Sequence, residues 1–215
     1  MSSPEPVVLA FPFSGVWRVE NSPARRIPSH GTHAFSVSHA IDFVAVDARD
    51  RSAPRTWRTW VGVEAPDGFI GFGEPVMAPI DGDVVAVHDV EPDHEARRSQ
   101  LRLVGYALGQ ARRTRRGIVG LAGNHVVIAV TPSGPFVLLA HLRHGSARVR
   151  VGDTVETGQQ VGECGNSGNS TEPHIHVQVS HSIGGIDAQG VPLIFSGPEG
   201  QRWVPGEGEI VTVGQ

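Results

Sequence analysis

The stretch GNSTEPHIHVQV, residues 168–179, places two histidines two positions apart in an alternating apolar run that follows a turn rich in Gly, Asn and Ser. In a β-strand, residues i and i+2 point to the same face of the sheet. The pattern therefore predicts a strand with one polar face and one face buried in the core. The polar set is His174, His176 and Gln178, and the apolar set is Ile175, Val177 and Val179. Two imidazoles on one rigid face can both bind a metal, or one can bind it while the other transfers protons.

Composition excludes several classes of function. The 215 residues are enough for one domain with a substantial core. All 18 basic residues are arginines, so Schiff-base chemistry, a P-loop lysine and a carrier lysine for biotin or lipoate are excluded. The single cysteine, Cys164, cannot form an intramolecular disulfide.

Charge and the N-terminal sequence bear on partners and location. The formal net charge of −4 gives no reason to expect a nucleic-acid partner. Residues 1–13 have no basic segment and no long apolar stretch, and three prolines interrupt them. We therefore predict no signal peptide, no membrane span and a cytoplasmic location.

The distribution of apolar runs predicts a mostly β protein: a single antiparallel β domain with one helical insertion. Runs suited to strands are separated by turns rich in Gly, Pro and Asp. They cover residues 40–46, 84–87, 125–130, 136–142 and 192–195. Two of these runs, 125–130 and 136–142, are joined by the turn sequence Thr-Pro-Ser-Gly-Pro. This arrangement predicts a β-hairpin.

The insertion is predicted at residues 93–116, where apolar residues recur at helical spacing between arginines. We interpret the arginines as a solvated face; an anionic polymer surface is the alternative. Around it, we divide the chain into an extended N-terminal segment, 1–30, a β domain, 31–180, and a tail that packs on the domain, 181–215.

Two residues outside the HxH strand are candidates for the same chemistry. Asp42 lies inside an apolar strand, where an unpaired carboxylate is costly and a metal would relieve that cost. His141 lies at the end of another apolar run. Catalytic zinc sites commonly use three protein ligands and a water molecule. The chain has no HExxH motif, so proton transfer would fall to histidines.

Several motifs together resemble the lysostaphin-type (LytM-like) zinc endopeptidases. Their order and spacing match over residues 123–179, and an earlier match covers residues 73–86. The motifs are GNHVVI from Gly123, LAHL from Leu139, VGDTV from Val151, GQQVG from Gly158, GNSGNSTEPHIH from Gly165, and GEPVMAPIDGDVVA from Gly73.

The resemblance implies a bound zinc ion and a role for each candidate residue. It implies that Asp42 and His176 are zinc ligands and that His141 and His174 are the catalytic pair. It also implies hydrolysis of short peptides of bacterial peptidoglycan by metal-activated water. That substrate lies outside the membrane, in contrast to the cytoplasmic location expected from the N-terminus.

The third zinc ligand is where the sequence departs from the common family pattern. Many members place a histidine four residues before the aspartate, and here that position is Ser38. The candidates that remain are His30, His33 and His39. The Gly-Thr-His segment resembles a subgroup in which its histidine is the ligand, so we predict His33. His39, three residues before Asp42, would point to the opposite face of a regular strand, although a β-bulge would change that.

A different class of function stays open beside the enzyme. Some members of the family have lost ligands and act as binding or regulatory modules for other hydrolases. The alternative prediction is therefore a catalytically degenerate module that binds wall peptides or regulates another hydrolase. Zinc content of the purified protein distinguishes the two.

Overall fold

Strands dominate the computed structural model, which describes residues 5–98, 117–183, 185–197 and 200–214. The mostly β fold class is confirmed. The strands are β1 (Val7–Leu9), β2 (Gly15–Glu20), β3 (Ile41–Ala45), β4 (Pro75–Met77), β5 (Gly82–His88), β6 (Asn124–Ala129), β7 (Phe136–Leu142), β8 (Thr154–Val155), β9 (Gln160–Glu163), β10 (Ile175–Ser180), β11 (Leu193–Ser196), β12 (Arg202–Trp203) and β13 (Ile210–Val213).

The main sheet positions the residues that the sequence analysis singled out. Its eight strands run in the order β13-β2-β3-β10-β7-β6-β5-β8, and the pairs are antiparallel. Strand β10, which carries His176 and directly follows His174, therefore lies between β3 and β7. Those two neighbours carry Asp42 and His141, so pairing alone brings distant parts of the chain together.

Alternation along β10 divides the strand between core and site. Its apolar residues, Ile175, Val177 and Val179, belong to the main hydrophobic core. His176 and Gln178 face the other side, where they line a groove. The predicted division of this strand into a core face and a polar face is confirmed. The predicted β6–β7 hairpin is confirmed as well: Ala129 pairs with Phe136 next to the turn, and Asn124 pairs with Leu142 at the far end.

Two smaller sheets complete the β structure. Strands β4 and β9 form an antiparallel pair, and β1, β11 and β12 form a three-stranded sheet. In that sheet, β1 and β11 are parallel, which departs from the antiparallel pattern of the main sheet. The first 30 residues thus supply β1 and β2. Two strands after residue 190 pair with them, β11 with β1 and β13 with β2.

Helical segments in the described part of the chain are short. They are α1 (Trp57–Val61), α2 (Gly117–Ala122) and the 3-10 segments Ala34–His39 and Pro66–Gly68. The predicted helix over 93–116 is wrong at its start, because residues 93–98 are not helical. There the backbone of Ala96 forms a β-bridge with Glu64, and Arg98 pairs with the Glu64 carboxylate at 2.6 Å. Residues 99–116 of that prediction lie outside the described residues.

Candidate metal and active site

The site begins where β3 and β10 pair. His176 lies directly opposite Asp42 in the register of these strands, and side chains of opposed residues point to the same face. Both are buried. Nδ1 of His176 lies 2.8 Å from Oδ1 of Asp42, so strand pairing is sufficient to explain this half of the cluster.

His30 completes the cluster from the loop that precedes β3. Its Nε2 lies 3.1 Å from Oδ2 of Asp42, and its ring stacks edge-on against His176 with centroids 4.9 Å apart. One ligand atom from each of His30, Asp42 and His176 lies within 4.8 Å of the other two. Among the described residues, this is the one group of three His, Cys, Asp or Glu side chains that meets that distance.

The loop geometry explains which histidine reaches Asp42. The backbone N–H of Ser29 donates to Ser38 O at 2.9 Å, which closes the loop at its base, beside the start of β3. His30 lies at this base, whereas His33 is exposed and its Nδ1 contacts Ser38 Oγ at 3.1 Å. The structure does not bring His33, the ligand chosen from sequence, into the cluster, and it brings His30 there instead.

His39, the remaining candidate, also lies outside the cluster. It ends the 3-10 segment Ala34–His39 and is half-buried. Burial, together with the nearby His33, lowers the pKa of its imidazole. Neither His39 nor His33 therefore belongs to the group of ligand atoms around Asp42.

The charge of Asp42 is stabilised by its surroundings. Burial alone would raise the pKa of this carboxyl group, but the neighbouring His30 and His174 and hydrogen bonds from His176 and His30 lower the pKa well below its usual range. In addition, Nδ2 of Asn21 donates to Oδ2 at 2.7 Å. Asp42 is therefore a buried carboxylate, and positive charge beside it is favourable.

His141 and His174 lie next to the cluster, as the sequence analysis expected of a catalytic pair. Their ring centroids are 4.6 Å apart, and the ring of His141 lies 5.7 Å from that of His176. Nε2 of His174 lies 3.7 Å from Oδ1 of Asp42. The structure thus brings together four of the five predicted site residues.

Backbone carbonyls fix the protonation pattern of this pair. Nδ1 of His141 lies 2.9 Å from Ser167 O, and Nδ1 of His174 lies 2.8 Å from Glu172 O. A carbonyl oxygen can only accept, so each Nδ1 carries hydrogen and donates it. In the neutral imidazole, Nε2 of each ring is then the atom that can accept a proton.

Burial also sets the charge state of His141. Desolvation, with the neighbouring His174 and His176, lowers the pKa of His141 well below its usual value. Because the shift is downward, the imidazole is neutral at neutral pH. A neutral imidazole has the form required of a general base.

A groove of about 440 Å³ runs past these histidines. One part of its wall is apolar and includes Phe35, Leu138 and Ile186, together with Ile118 and Leu121 of α2. Glu20 and Glu172 also line the groove. The groove therefore exposes the candidate metal cluster and the histidine pair to the same bound molecule.

Three polar residues beside the cluster, Asn21, Ser29 and Gln178, were assigned no chemical role from the sequence. Gln178 lies two residues after His176 on the same predicted face, so the alternation already pointed to it. Asn21 and Ser29 lie in irregular segments, where no periodicity marks a side chain that faces the site. Their contacts with Asp42 and His30 become visible only through the fold.

A sheet groove that combines a His–Asp–His cluster with two further histidines is typical of metal-dependent hydrolases. The chain belongs to peptidase family M23, whose sequence profile matches residues 65–189. His141, His174 and His176 lie in the matched region, whereas His30 and Asp42 precede it. Among curated proteins, none matches the chain significantly in sequence.

Solved structures with a similar fold come from several bacteria. A mutant catalytic domain of the prophage-encoded M23 protein EnpA from Enterococcus faecalis is 20% identical, with 89% of this chain and 92% of that chain covered and a TM-score of 0.41. The lysostaphin catalytic domain from Staphylococcus simulans is 17% identical, with 83% of this chain and 86% of that chain covered and a TM-score of 0.38. A putative glycyl-glycine endopeptidase lytM from Ruminococcus gnavus is 16% identical, with 85% of this chain and 56% of that chain covered and a TM-score of 0.44.

The described residues contain no helix that is both long and apolar enough to cross a membrane.

Proposed function

We propose that this protein is a zinc-dependent endopeptidase in which His30, Asp42 and His176 bind the metal. The observation that supports this most directly is the grouping of their ligand atoms within 4.8 Å. Two imidazoles and a carboxylate form a ligand set that catalytic zinc sites use, with a fourth position left for water. The buried negative charge of Asp42 also favours a cation at this point.

Zinc, when bound, lowers the pKa of water toward neutrality and polarises a carbonyl group. Proton transfer falls to His141 and His174, each of which keeps Nδ1 in a hydrogen bond to a backbone carbonyl. Their Nε2 atoms can accept a proton from the attacking water and later deliver one to the leaving amine. The protonated ring also stabilises negative charge on the substrate oxygen.

We propose peptides of bacterial peptidoglycan as the substrate class. Membership of family M23 and the motifs shared with lysostaphin-type enzymes support this assignment. The groove is consistent with it, because a volume of about 440 Å³ beside the histidines can hold a short peptide with small side chains. The apolar wall formed by Phe35, Leu138 and Ile186 would contact the peptide beside the histidines.

Metal analysis of alanine variants tests the ligand assignment. The purified chain should bind about one zinc ion, and His30→Ala and His176→Ala should lose it, because three protein ligands are needed. His33→Ala is the matched control, since it removes a nearby histidine outside the cluster. Loss of zinc from the His33 variant with zinc retained in the His30 variant would overturn the assignment.

Hydrolysis of peptidoglycan fragments tests the activity itself. Mass spectrometry of the products should show cleavage of a peptide bond by the zinc-loaded protein and none by the zinc-stripped protein. Denatured casein serves as a comparison substrate for general proteolysis. A zinc-loaded protein that binds the fragments but leaves them intact would instead support the degenerate binding or regulatory module.

A further inference from the structure

Each proposed ligand histidine directs one ring nitrogen at Asp42 and the other at a buried polar side chain. For His30, Nε2 faces Asp42 and Nδ1 lies 3.0 Å from Ser29 Oγ. For His176, Nδ1 faces Asp42 and Nε2 lies 3.0 Å from Gln178 Oε1. Ser29 and Gln178 are 1% and 7% exposed, so solvent does not compete for these bonds.

The Ser29 hydroxyl group donates its hydrogen to the backbone and not to His30. Two backbone carbonyl oxygens lie within reach of Ser29 Oγ, that of Ala40 at 2.7 Å and that of Val37 at 3.0 Å. Carbonyl oxygens only accept, and a hydroxyl group has one hydrogen to donate. The Ser29 hydroxyl is therefore a donor to the backbone and an acceptor toward His30, so that Nδ1 of His30 carries hydrogen.

The orientation of the Gln178 amide group is also determined by its hydrogen-bond partners. Its Nε2 donates to the carbonyl oxygen of Phe35 at 3.1 Å. The reverse orientation of the amide would oppose two oxygen atoms there, so Oε1 must face His176. Oε1 can only accept, and Nε2 of His176 therefore carries hydrogen.

These two bonds decide which nitrogen of each histidine is available to a metal. With Nδ1 of His30 and Nε2 of His176 committed as donors to other partners, His30 Nε2 and His176 Nδ1 are the nitrogens that face the Asp42 carboxylate. Bare electron pairs at these two contacts would repel the carboxylate, so each contact needs a hydrogen in the metal-free protein, and a bound cation would take the place of that hydrogen. A metal ion would accept electron pairs from all three groups at once.

From this geometry we infer that Ser29 and Gln178 are positioning residues, which preselect His30 Nε2 and His176 Nδ1 as zinc-binding atoms. The inference rests on the proposed zinc site. The loop over residues 34–40 holds both side chains in place, because its backbone carbonyl groups accept their hydrogen bonds. Phe35, which supplies one of those carbonyls, has a left-handed φ of 57° inside that loop.

Zinc affinity of the full-length chain tests the inference without measuring hydrolysis. Ser29→Ala and Gln178→Met each remove one acceptor and should raise the zinc dissociation constant about 10- to 100-fold, as measured by competition with a chromogenic chelator. Ser38→Ala is the matched control: it removes an equally buried hydroxyl that contacts His33, and it should change the constant by less than about twofold. Gln178→Glu keeps an acceptor for His176 and should retain more affinity than Gln178→Met.

A second measurement covers the case in which a variant does not fold. Heteronuclear NMR of the zinc-loaded wild-type protein should show hydrogen on Nδ1 of His30 and on Nε2 of His176. Ligation through the opposite nitrogens, or unchanged affinity in both the Ser29→Ala and Gln178→Met variants, would overturn the inference and leave the zinc site intact. A wild-type chain that binds no zinc would overturn the proposed function and the inference together.

Discussion

At the scale of single residues, His141 combines an unusual backbone with a proposed role in catalysis. Its φ is +62°, a left-handed value inside strand β7 where a residue other than glycine is strained. The Gly165 N–H donates to the carbonyl oxygen of His141, and Ser167 O accepts from its ring. The loop over residues 165–167 thus holds both the backbone and the side chain of His141 in this conformation.

We predict that His141→Ala retains zinc and loses hydrolysis. The substitution removes a proton-transfer group that lies beside, but not in, the ligand cluster, and such groups contribute about 10²- to 10⁴-fold to the rate. His141→Asn is the control for the backbone, because Asn tolerates a positive φ better than Ala. Both variants should be inactive, and the Asn variant should unfold at the higher temperature; hydrolysis within about tenfold of wild type in either would contradict the role.

Sequence alone could identify the part of the site that is built on strands. A period of two predicts that His174, His176 and Gln178 share a face, and an acidic residue in an apolar run draws attention to Asp42. His30 could not be selected in this way, because 11 residues of loop and strand separate it from Asp42. Only the closure of the loop from Ser29 to Ser38 decides that His30 rather than His33 faces the carboxylate.

At the scale of elements, the loop over residues 165–171 is held by a close backbone contact with Gly123, just before β6. Gly123 has a φ of +61°, and a Cβ atom added there would lie 2.5 Å from Gly168 N and from Ser167 Oγ. The neighbouring Asn124 N–H donates to Ser167 Oγ at 2.9 Å. The position of Ser167, and through it the orientation of His141, therefore depends on the absence of a side chain at residue 123.

Gly123→Ala should accordingly damage both stability and activity. The positive φ costs about 1 kcal/mol for a residue with a Cβ atom, and displacement of the loop adds the cost of packing strain, about 1–3 kcal/mol. Gly145→Ala separates the two contributions, since Gly145 also has a positive φ, +69°, but no atom within 4 Å of an added Cβ. Urea unfolding should show the larger loss for the Gly123 variant; equal losses would contradict the contact.

The predicted helix over 93–116 shows why an element can be misjudged at its boundary. The apolar spacing that indicated a helix begins at Leu101, yet the predicted range was extended back to residue 93. Residues 93–98 instead have partners in distant loops: the Asp93 carboxylate accepts from Asn166 N at 2.7 Å, and Arg97 N donates to Thr171 O. Such tertiary bonds to the loop over residues 165–171 outweigh local propensity and cannot be read from the local spacing of apolar residues.

At the scale of the whole molecule, both ends of the described chain support the site. Strand β2, from the N-terminal part, pairs with β3 on the side opposite to β10, and β13, from the C-terminal part, pairs with β2. Phe195 of β11 is fully buried and stacks on Phe11, with ring centroids 4.7 Å apart. The strand that carries Asp42 is therefore fixed along both edges, and its Phe43 packs against Phe11 and Phe195 on the core face.

Acid stability is a property of the whole molecule because two buried histidines in different strands, His125 and His141, have lowered pKa values. His125 is 4% exposed, and its burial, with the neighbouring His88, lowers its pKa. Its Nδ1 lies 2.7 Å from Gly123 O, next to the contact between Gly123 and the loop over residues 165–171. A histidine with a lowered pKa in the folded state takes up its proton more readily when the chain is unfolded.

We predict that the zinc-free protein loses stability as pH falls below about 6.5, the usual histidine pKa. Below that value the unfolded chain binds more protons than the folded chain, so the free energy of unfolding decreases with decreasing pH until the folded-state pKa is reached. Replacing His125 with Gln removes one of the responsible groups and should make the decrease shallower. Urea unfolding of both proteins between about pH 7 and pH 5 measures the difference; parallel curves would show that His125 is not buried as a neutral imidazole.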